Sequence, residues 1–230
     1  NRIDMDLSVV NHEDYFAKIG DDHKFPINKF GELAKYLIDK KIVKKFHQPY
    51  ACSDETLKRA HSEKYIKDVK NKTLDQNTIK KIGFPLVDSV IQRSLVATGG
   101  TVLATKLAIK NGVACNTAGG SHHANFDGGA GYCVFNDVAV AAHYLLNRGL
   151  ANRILIVDLD VHQGNIAVLM GAQQREEDKT LHLCPLTGTK QIELSVPICF
   201  VDAAGVVGAT GGCIDHGIHA LKGVIEAVGL

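Results

Sequence analysis

The feature that most constrains this chain is an apolar run, Ile154 to Val157, that continues directly into alternating polar residues. Asp158, Asp160 and His162 stand two apart, so their side chains project from the same face of an extended strand. The apolar run is typical of a buried strand in a parallel sheet, and such sheets place ligand sites at the carboxyl ends of their strands. The segment therefore predicts an α/β fold with a metal site at a strand end.

The donor atoms of this segment indicate which ion it would hold. Asp160 and His162 offer oxygen and nitrogen without a thiolate, which favours zinc and leaves iron(II) as the alternative. Asp158, one strand position behind them, can orient a histidine by accepting its ring N–H. The alternative is that the two aspartates only cap the helix after Gly164. Capping requires one short polar side chain, so two carboxylates and an imidazole in alternation favour water activation.

A second polar cluster, from Gly119 to Asp137, contains the adjacent pair His122 and His123 between glycines. Adjacent side chains diverge in a helix or strand, but a glycine-rich loop can aim both at one pocket. Imidazole titrates near neutral pH, so one ring can take a proton from water while its neighbour holds or donates one. His143, in an ordinary helical setting, is interpreted as structural.

Three segments in this order, GGSHHA, YCVFNDVAVAA and ILIVDLDVHQGN, closely resemble the histone deacetylase superfamily, which also includes acetoin-utilisation and acetylpolyamine deacetylases. HKFP, HSEKYI, IGFP and RSLVATGGTVLA, earlier in the chain, look most like the class IV branch and its bacterial relatives. The resemblance extends from about Val9 to Asn165. It implies a single arginase/deacetylase-like domain over residues 1–230, with three layers and a central, mostly parallel sheet.

The resemblance also implies a metal centre. Asp160 and His162 match zinc ligands of the family. Asp158 matches the carboxylate that partners the first histidine, and it also matches a structural K+ site formed partly by backbone carbonyls near these ligands.

Further roles follow from the same resemblance. His122 and His123 match the general acid/base pair. Asn165 stands where some relatives carry an aspartate that partners the second histidine, so His123 is expected to be less basic than in those relatives. Tyr132 matches an aromatic wall of the acyl-lysine tunnel, and Gly131 lies beside it.

The last part of the chain, about residues 166–230, departs from the family pattern. Asp202 follows the apolar run VPICFV, so strand-end placement makes it the preferred third metal ligand. Asp215, with His216 and His219 nearby, is the alternative, although a solvated helix face explains those two histidines equally well.

The implied function is zinc-dependent hydrolysis of an acetyl-lysine-type amide, in an acetylated lysine peptide or a small acetylated amine, through metal-activated water and the histidine pair. Cys213 stands where the family has a tyrosine that polarises the amide carbonyl, so weak activity is expected. The alternative is a catalytically weak or inactive deacetylase-like binding module. A third option is another amide or amidine hydrolase on the related arginase-like fold, which favours two metals and more aspartates.

Composition limits the remaining function classes. Lys and Arg number 26 against 25 Asp and Glu, which argues against nucleic-acid binding driven by bulk charge. The six cysteines form no C-x-x-C pair and imply no disulfide framework. No signal pattern or membrane-spanning apolar run is recognised. An intracellular protein, cytoplasmic or nuclear, is therefore expected, without a membrane partner.

Alternating helix and strand patterns support the α/β assignment. Phe30 to Val43 has the pattern of an amphipathic helix, and Ser53 suits the start of another. Leu86 to Asn111 predicts one long helix, or two interrupted at Gly99 and Gly100. A strand is expected over Val113 to Ala118, and a helix over Asn136 to Arg148.

Overall fold

The computed structural model describes residues 7–154, residue 156 and the backbone of residues 198–201. Three short strands, β1 (Ser8–Val10), β2 (Val113–Asn116) and β3 (Ile198–Val201), form a parallel sheet with β2 in the centre. All residues of β1 are buried, as expected for a parallel sheet covered on both faces. β3 confirms the strand predicted in the late apolar run. The strand predicted over 154–158 lies mostly outside the described residues.

Six helices and one 3-10 turn accompany the sheet in the described part of the chain. Four of the helices begin at a side chain that accepts a hydrogen bond from the first turn, at Ser53, Ser62, Asp75 and Asn136. None of the described helices is both long and apolar enough to cross a bilayer. The elements are the 3-10 turn Glu13–Tyr15, α1 (Lys29–Asp39), α2 (Asp54–Leu57), α3 (Glu63–Asn71), α4 (Gln76–Ile82), α5 (Asp88–Asn111) and α6 (Asp137–Asn147).

Helix α5 is one continuous helix of 24 residues that packs against the strands and against α6. The two glycines in its middle do not interrupt it. A Cβ on Gly99 would lie 2.0 Å from the carbonyl oxygen of Tyr50, and a Cβ on Gly100 would lie 2.1 Å from the hydroxyl of Tyr15. These glycines therefore allow neighbouring segments to approach the helix axis closely.

Several element boundaries differ from the sequence-based expectation, including the start of α5 at Asp88 instead of Leu86. Two of the differences have a visible cause. α1 ends at Asp39 instead of Val43, because Lys41 adopts φ +56° and turns the chain so that Val43 is buried. β2 ends at Asn116 instead of Ala118, because the Asn116 side chain accepts a hydrogen bond from the Ala118 N–H and starts a turn.

Candidate active site

The loop that follows β2 brings the two adjacent histidine rings into contact. Nε2 of His122 lies 3.1 Å from Nε2 of His123, and the ring centroids are 4.2 Å apart at an interplanar angle of 78°. Gly120, with φ +88°, accepts a hydrogen bond from the His122 N–H and closes a tight turn just before the pair. Because a hydrogen bond between two ring nitrogens needs one donor and one acceptor, this geometry suits two rings that share one Nε2 proton.

Gly131 forms the surface on which the His123 ring rests. A Cβ at this position would lie 2.7 Å from Cδ2 and 2.9 Å from Cγ of His123, and the glycine has φ +53°. A side chain here would therefore displace the ring and also strain the backbone.

Tyr132 continues this backbone with φ +64°, a conformation that is unfavourable for a residue with a side chain. The Tyr132 N–H donates to the Ile82 carbonyl at 2.7 Å, and the Gly131 N–H donates to the Lys81 carbonyl at 2.9 Å. Both carbonyls belong to the last turn of α4, where they have no partner within the helix. The end of α4 thus holds Gly131 and Tyr132 in their positive-φ conformations.

The half-buried ring of Tyr132 joins an aromatic cluster. Its centroid lies 5.1 Å from Phe25 and 5.2 Å from Phe84, and it meets the ring of His23 edge-on at 6.0 Å. Gly83 lies beneath this ring, since a Cβ there would lie 2.9 Å from Cε1 of Tyr132. The His23 ring is fixed in turn by a 2.9 Å hydrogen bond between Nε2 and the Gly83 carbonyl. The tyrosine therefore presents a rigid aromatic face.

A fully buried carboxylate, Asp137, accepts hydrogen bonds from the backbone of the histidine loop. Oδ1 accepts the Ser121 N–H at 2.7 Å, while Oδ2 accepts the Gly120 N–H at 3.1 Å and the Thr101 hydroxyl. Burial raises the pKa of Asp137, and the hydrogen bonds from Thr101 and the loop oppose that rise. All of these partners donate to the carboxylate, so the contacts suit its ionised form.

Asp137 is the end of a longer buried polar network. Tyr15 donates to Oδ1 of Asn116 at 2.8 Å, and Nδ2 of Asn116 donates to Oγ1 of Thr101 at 2.9 Å. Burial raises the pKa of Tyr15 above its usual range, so the phenol stays protonated. The buried Arg93 donates from Nε to the Tyr15 carbonyl at 3.1 Å, and burial lowers its pKa to about 10, so it remains charged at neutral pH.

The structure places four of the predicted site residues, His122, His123, Gly131 and Tyr132, on the loop between β2 and α6. Within the described part of the chain, no cluster of three or more His, Cys, Asp or Glu side chains could hold a metal ion. The remaining predicted site residues lie outside the described residues and are Asp158, Asp160, His162, Asn165 and Asp202.

Sequence reasoning missed the buried groups that surround the histidine pair. Asn136 carries a recognisable signal, because an asparagine just before an apolar helical pattern is a favoured helix cap. Asp137 and Thr101 carry no such signal, because their hydrogen bond joins residues 36 positions apart.

Comparison with known proteins identifies the family of this chain. The family model of the histone deacetylase domain matches residues 23–175. The chain belongs to the histone deacetylase family. An uncharacterized protein of Picosynechococcus is 42% identical over 163 residues, covering 70% of this chain and 54% of its own length. Histone deacetylase 2 of Arabidopsis thaliana is 31% identical over 174 residues, covering 69% of this chain and 44% of its own length.

Solved structures of the same family give the fold. An HDAC homologue from Aquifex aeolicus and an HDAC homologue complexed with SAHA each superpose with a TM-score of 0.55 at 25% identity. Each match covers 62% of this chain and 42% of the other. The chain therefore has the α/β arginase/deacetylase fold, and it spans about half of the length of these two curated relatives.

Proposed function

We propose that this chain is a zinc-dependent deacetylase that hydrolyses an acetyl-lysine-type amide. One observation carries the proposal: in a histone deacetylase family member, the Nε2 atoms of His122 and His123 lie 3.1 Å apart, and the His123 ring lies against Gly131. The HDAC homologue complexed with SAHA supports an acetylated ligand for this family member too.

The histidine pair supplies the proton transfers that amide hydrolysis needs. A water that attacks the carbonyl must lose a proton, and the departing amine must gain one. Two imidazoles that hold one Nε2 proton between them can do both once water and the amine replace their mutual contact, because one Nε2 then accepts a proton and the other donates one. His122 and His123 are therefore assigned as the general acid/base pair.

The residues proposed to hold the metal come from the later part of the chain. Asp160, His162 and Asp202 would supply two carboxylates and an imidazole, a donor set that suits zinc and leaves iron(II) as the alternative. When bound, zinc supplies Lewis-acid polarisation of the amide carbonyl. Asp158 is proposed to orient His122 and to contribute to a structural K+ site, and Asn165 to orient His123.

The substrate is proposed to enter along Gly131 and Tyr132. The Tyr132 ring packs against Phe25 and Phe84, which also contact each other, so it offers a fixed aromatic face to an extended aliphatic chain. Gly131 lies directly against the His123 ring, so this wall adjoins the histidine pair. An acetylated lysine peptide or a small acetylated amine fits such a wall.

A second candidate is a catalytically weak or inactive deacetylase-like module that binds acyl-lysine. It is favoured by Cys213, which stands where the family pattern has a tyrosine that donates to the amide oxygen. Losing one such donor costs roughly a hundredfold to a thousandfold in rate in other enzymes.

The setting of the protein is part of the proposal. A single domain over residues 1–230 and an intracellular location, cytoplasmic or nuclear, are proposed. In the described part of the chain, Cys52 and Cys133 are thiols, which fits a reducing compartment. The near balance of charge supports a substrate other than nucleic acid.

The test measures zinc content and hydrolysis of an acetyl-lysine peptide in the same preparation. We expect about one zinc per chain and turnover that a chelator abolishes. His162→Ala should lose the zinc, while His143→Ala, on α6, should retain it. Peptide binding without turnover would favour the binding module instead, and unchanged zinc content in His162→Ala would contradict the proposed metal site.

A further inference from the structure

The buried carboxylate of Asp137 fixes the main chain just before the histidine pair. Its two oxygens accept the N–H groups of Gly120 and Ser121, at 3.1 and 2.7 Å, and these are the two residues that precede His122. Asp137 itself is immobilised, because it lies in the first turn of α6 and is fully buried.

The neighbouring side chain, Asn136, fixes the main chain on the other side. Its Nδ2 donates to the carbonyls of His122 and Ala124, at 3.1 and 2.9 Å, while its Oδ1 accepts the Ala139 N–H as the cap of α6. Both N–H donors of this buried amide and its oxygen are therefore used. Asn136 and Asp137 together hold the loop by four hydrogen bonds to backbone atoms, two just before His122 and two on either side of His123.

The Ala97 carbonyl determines which groups donate and which accept in the hydrogen bonds that lead to Asp137. The Ala97 carbonyl can only accept, so the amide nitrogen of Asn116 faces it at 3.1 Å, and Oδ1 of Asn116 faces the Tyr15 hydroxyl. The same nitrogen also donates to Oγ1 of Thr101. Thr101 has one hydroxyl proton, and it goes to Asp137, because the only other described acceptor, the Ala97 carbonyl, lies farther away, at 3.5 Å from Oγ1.

We propose that Asn136 and Asp137 are positioning residues for His122 and His123, and that Thr101 sets the orientation of the Asp137 carboxylate. They act through the loop backbone and hold the two Nε2 atoms at a distance that permits proton exchange. The catalytic consequence rests on the proposed deacetylase function. The structural part does not, because the backbone hydrogen bonds exist whatever the reaction.

Thr101→Val tests this positioning with little change in volume. We expect the amides of Gly120 and Ser121 to exchange with solvent about tenfold faster by NMR, because the carboxylate that accepts them loses its fixing donor. We also expect kcat for an acetyl-lysine peptide to fall roughly tenfold or more with KM unchanged, because small misplacements of reacting groups are costly. Thr101→Ser, which keeps the hydroxyl, should restore both.

The matched control is Thr98→Val on the same helix. Thr98 is also buried, but its hydroxyl donates to the Ser94 carbonyl one turn earlier, at 2.8 Å, and to no other group in the described part of the chain. This variant should leave the loop amides and kcat as they are. Asn136→Asp tests the second positioning residue. It keeps the acceptor that caps α6 but removes both donors to the loop, so kcat should also fall.

The outcomes separate the two proposals. Unchanged exchange at Gly120 and Ser121 in folded Thr101→Val, or equal losses in Thr98→Val, would overturn the positioning role. If the wild-type protein hydrolyses no acetyl-lysine peptide, the proposed function fails, while the amide exchange still decides whether Thr101 and Asp137 hold the loop.

Discussion

Three positions with positive φ shape the surface next to the histidine pair. Gly131 has φ +53°, Tyr132 has φ +64°, and Gly83 beneath the tyrosine ring has φ +80°. A tyrosine in this conformation carries a strain of about 1–3 kcal/mol, so interactions from elsewhere must maintain it. The carbonyls of Lys81 and Ile82 do so by accepting the two N–H groups of the loop.

Gly131→Ala tests how closely His123 depends on this surface. The added Cβ would lie 2.7 Å from the His123 ring, so we expect the ring to move and kcat for an acetyl-lysine peptide to fall roughly a hundredfold. Gly128→Ala in the same loop is the control, because its nearest neighbour would be Oδ1 of Asn125 at 3.6 Å. Steady-state kinetics on both variants test this prediction. Equal kcat values for Gly131→Ala and Gly128→Ala would show that the His123 ring tolerates displacement.

The role of a single residue could be predicted from the sequence only where its interactions are with residues close to it in the chain. The doublet His122 and His123 between glycines could be recognised because adjacent rings need an unusual backbone to converge. Asp137 could not be assigned a role, because its acceptor function depends on Thr101, which a different helix brings to it.

Helix α5 shows that a sequence pattern can predict a helix without revealing its tertiary contacts. Its apolar pattern predicted a helix, and the structure confirms the predicted end at Asn111. The pattern could not tell whether Gly99 and Gly100 break the helix or admit a close neighbour. That distinction depends on Tyr50 and Tyr15, whose approach to the helix is a tertiary contact.

Gly99→Ala should destabilise the protein although alanine is the better helix former. The gain in propensity is about 1 kcal/mol, whereas a Cβ placed 2.0 Å from the Tyr50 carbonyl forces a backbone shift that costs roughly 1–3 kcal/mol or more. Gly31→Ala in α1 is the matched control, because no described atom outside its own helix turn lies within 4 Å of the added Cβ, and it should gain stability. Denaturant unfolding measures both, and a stabilised Gly99→Ala would contradict the close approach.

For the whole molecule, the motifs of the sequence indicated the family, and the family carries the fold. They did not show how distant segments are tied together. His61, between α2 and α3, is one such tie, because its Nε2 accepts the backbone N–H of Asn136 at 2.9 Å. It therefore joins the amino-terminal helices to the start of α6 and to the residue that grips the histidine loop.

His61 should make the stability of the whole protein depend on pH. Burial lowers the pKa of His61 from 6.5 to about 4, although the carbonyls of Asn125 and Phe126 favour protonation. The folded state thus binds fewer protons than the unfolded state between these values, so the free energy of unfolding rises with pH across this window. The contribution, up to about 3 kcal/mol, is complete above pH 6.5 and is lost as the pH falls towards 4.

His61→Gln isolates this contribution, because glutamine offers an acceptor near the position of Nε2 but does not titrate. Other groups also titrate between pH 5 and 7, and burial of Asp137 acts in the opposite direction by raising its pKa. Comparing the two proteins at each pH cancels these shared terms. We expect the wild-type free energy of unfolding to fall more steeply from pH 7 to pH 5 than that of His61→Gln. Parallel curves would mean that folding does not lower the pKa of His61 and would contradict this prediction.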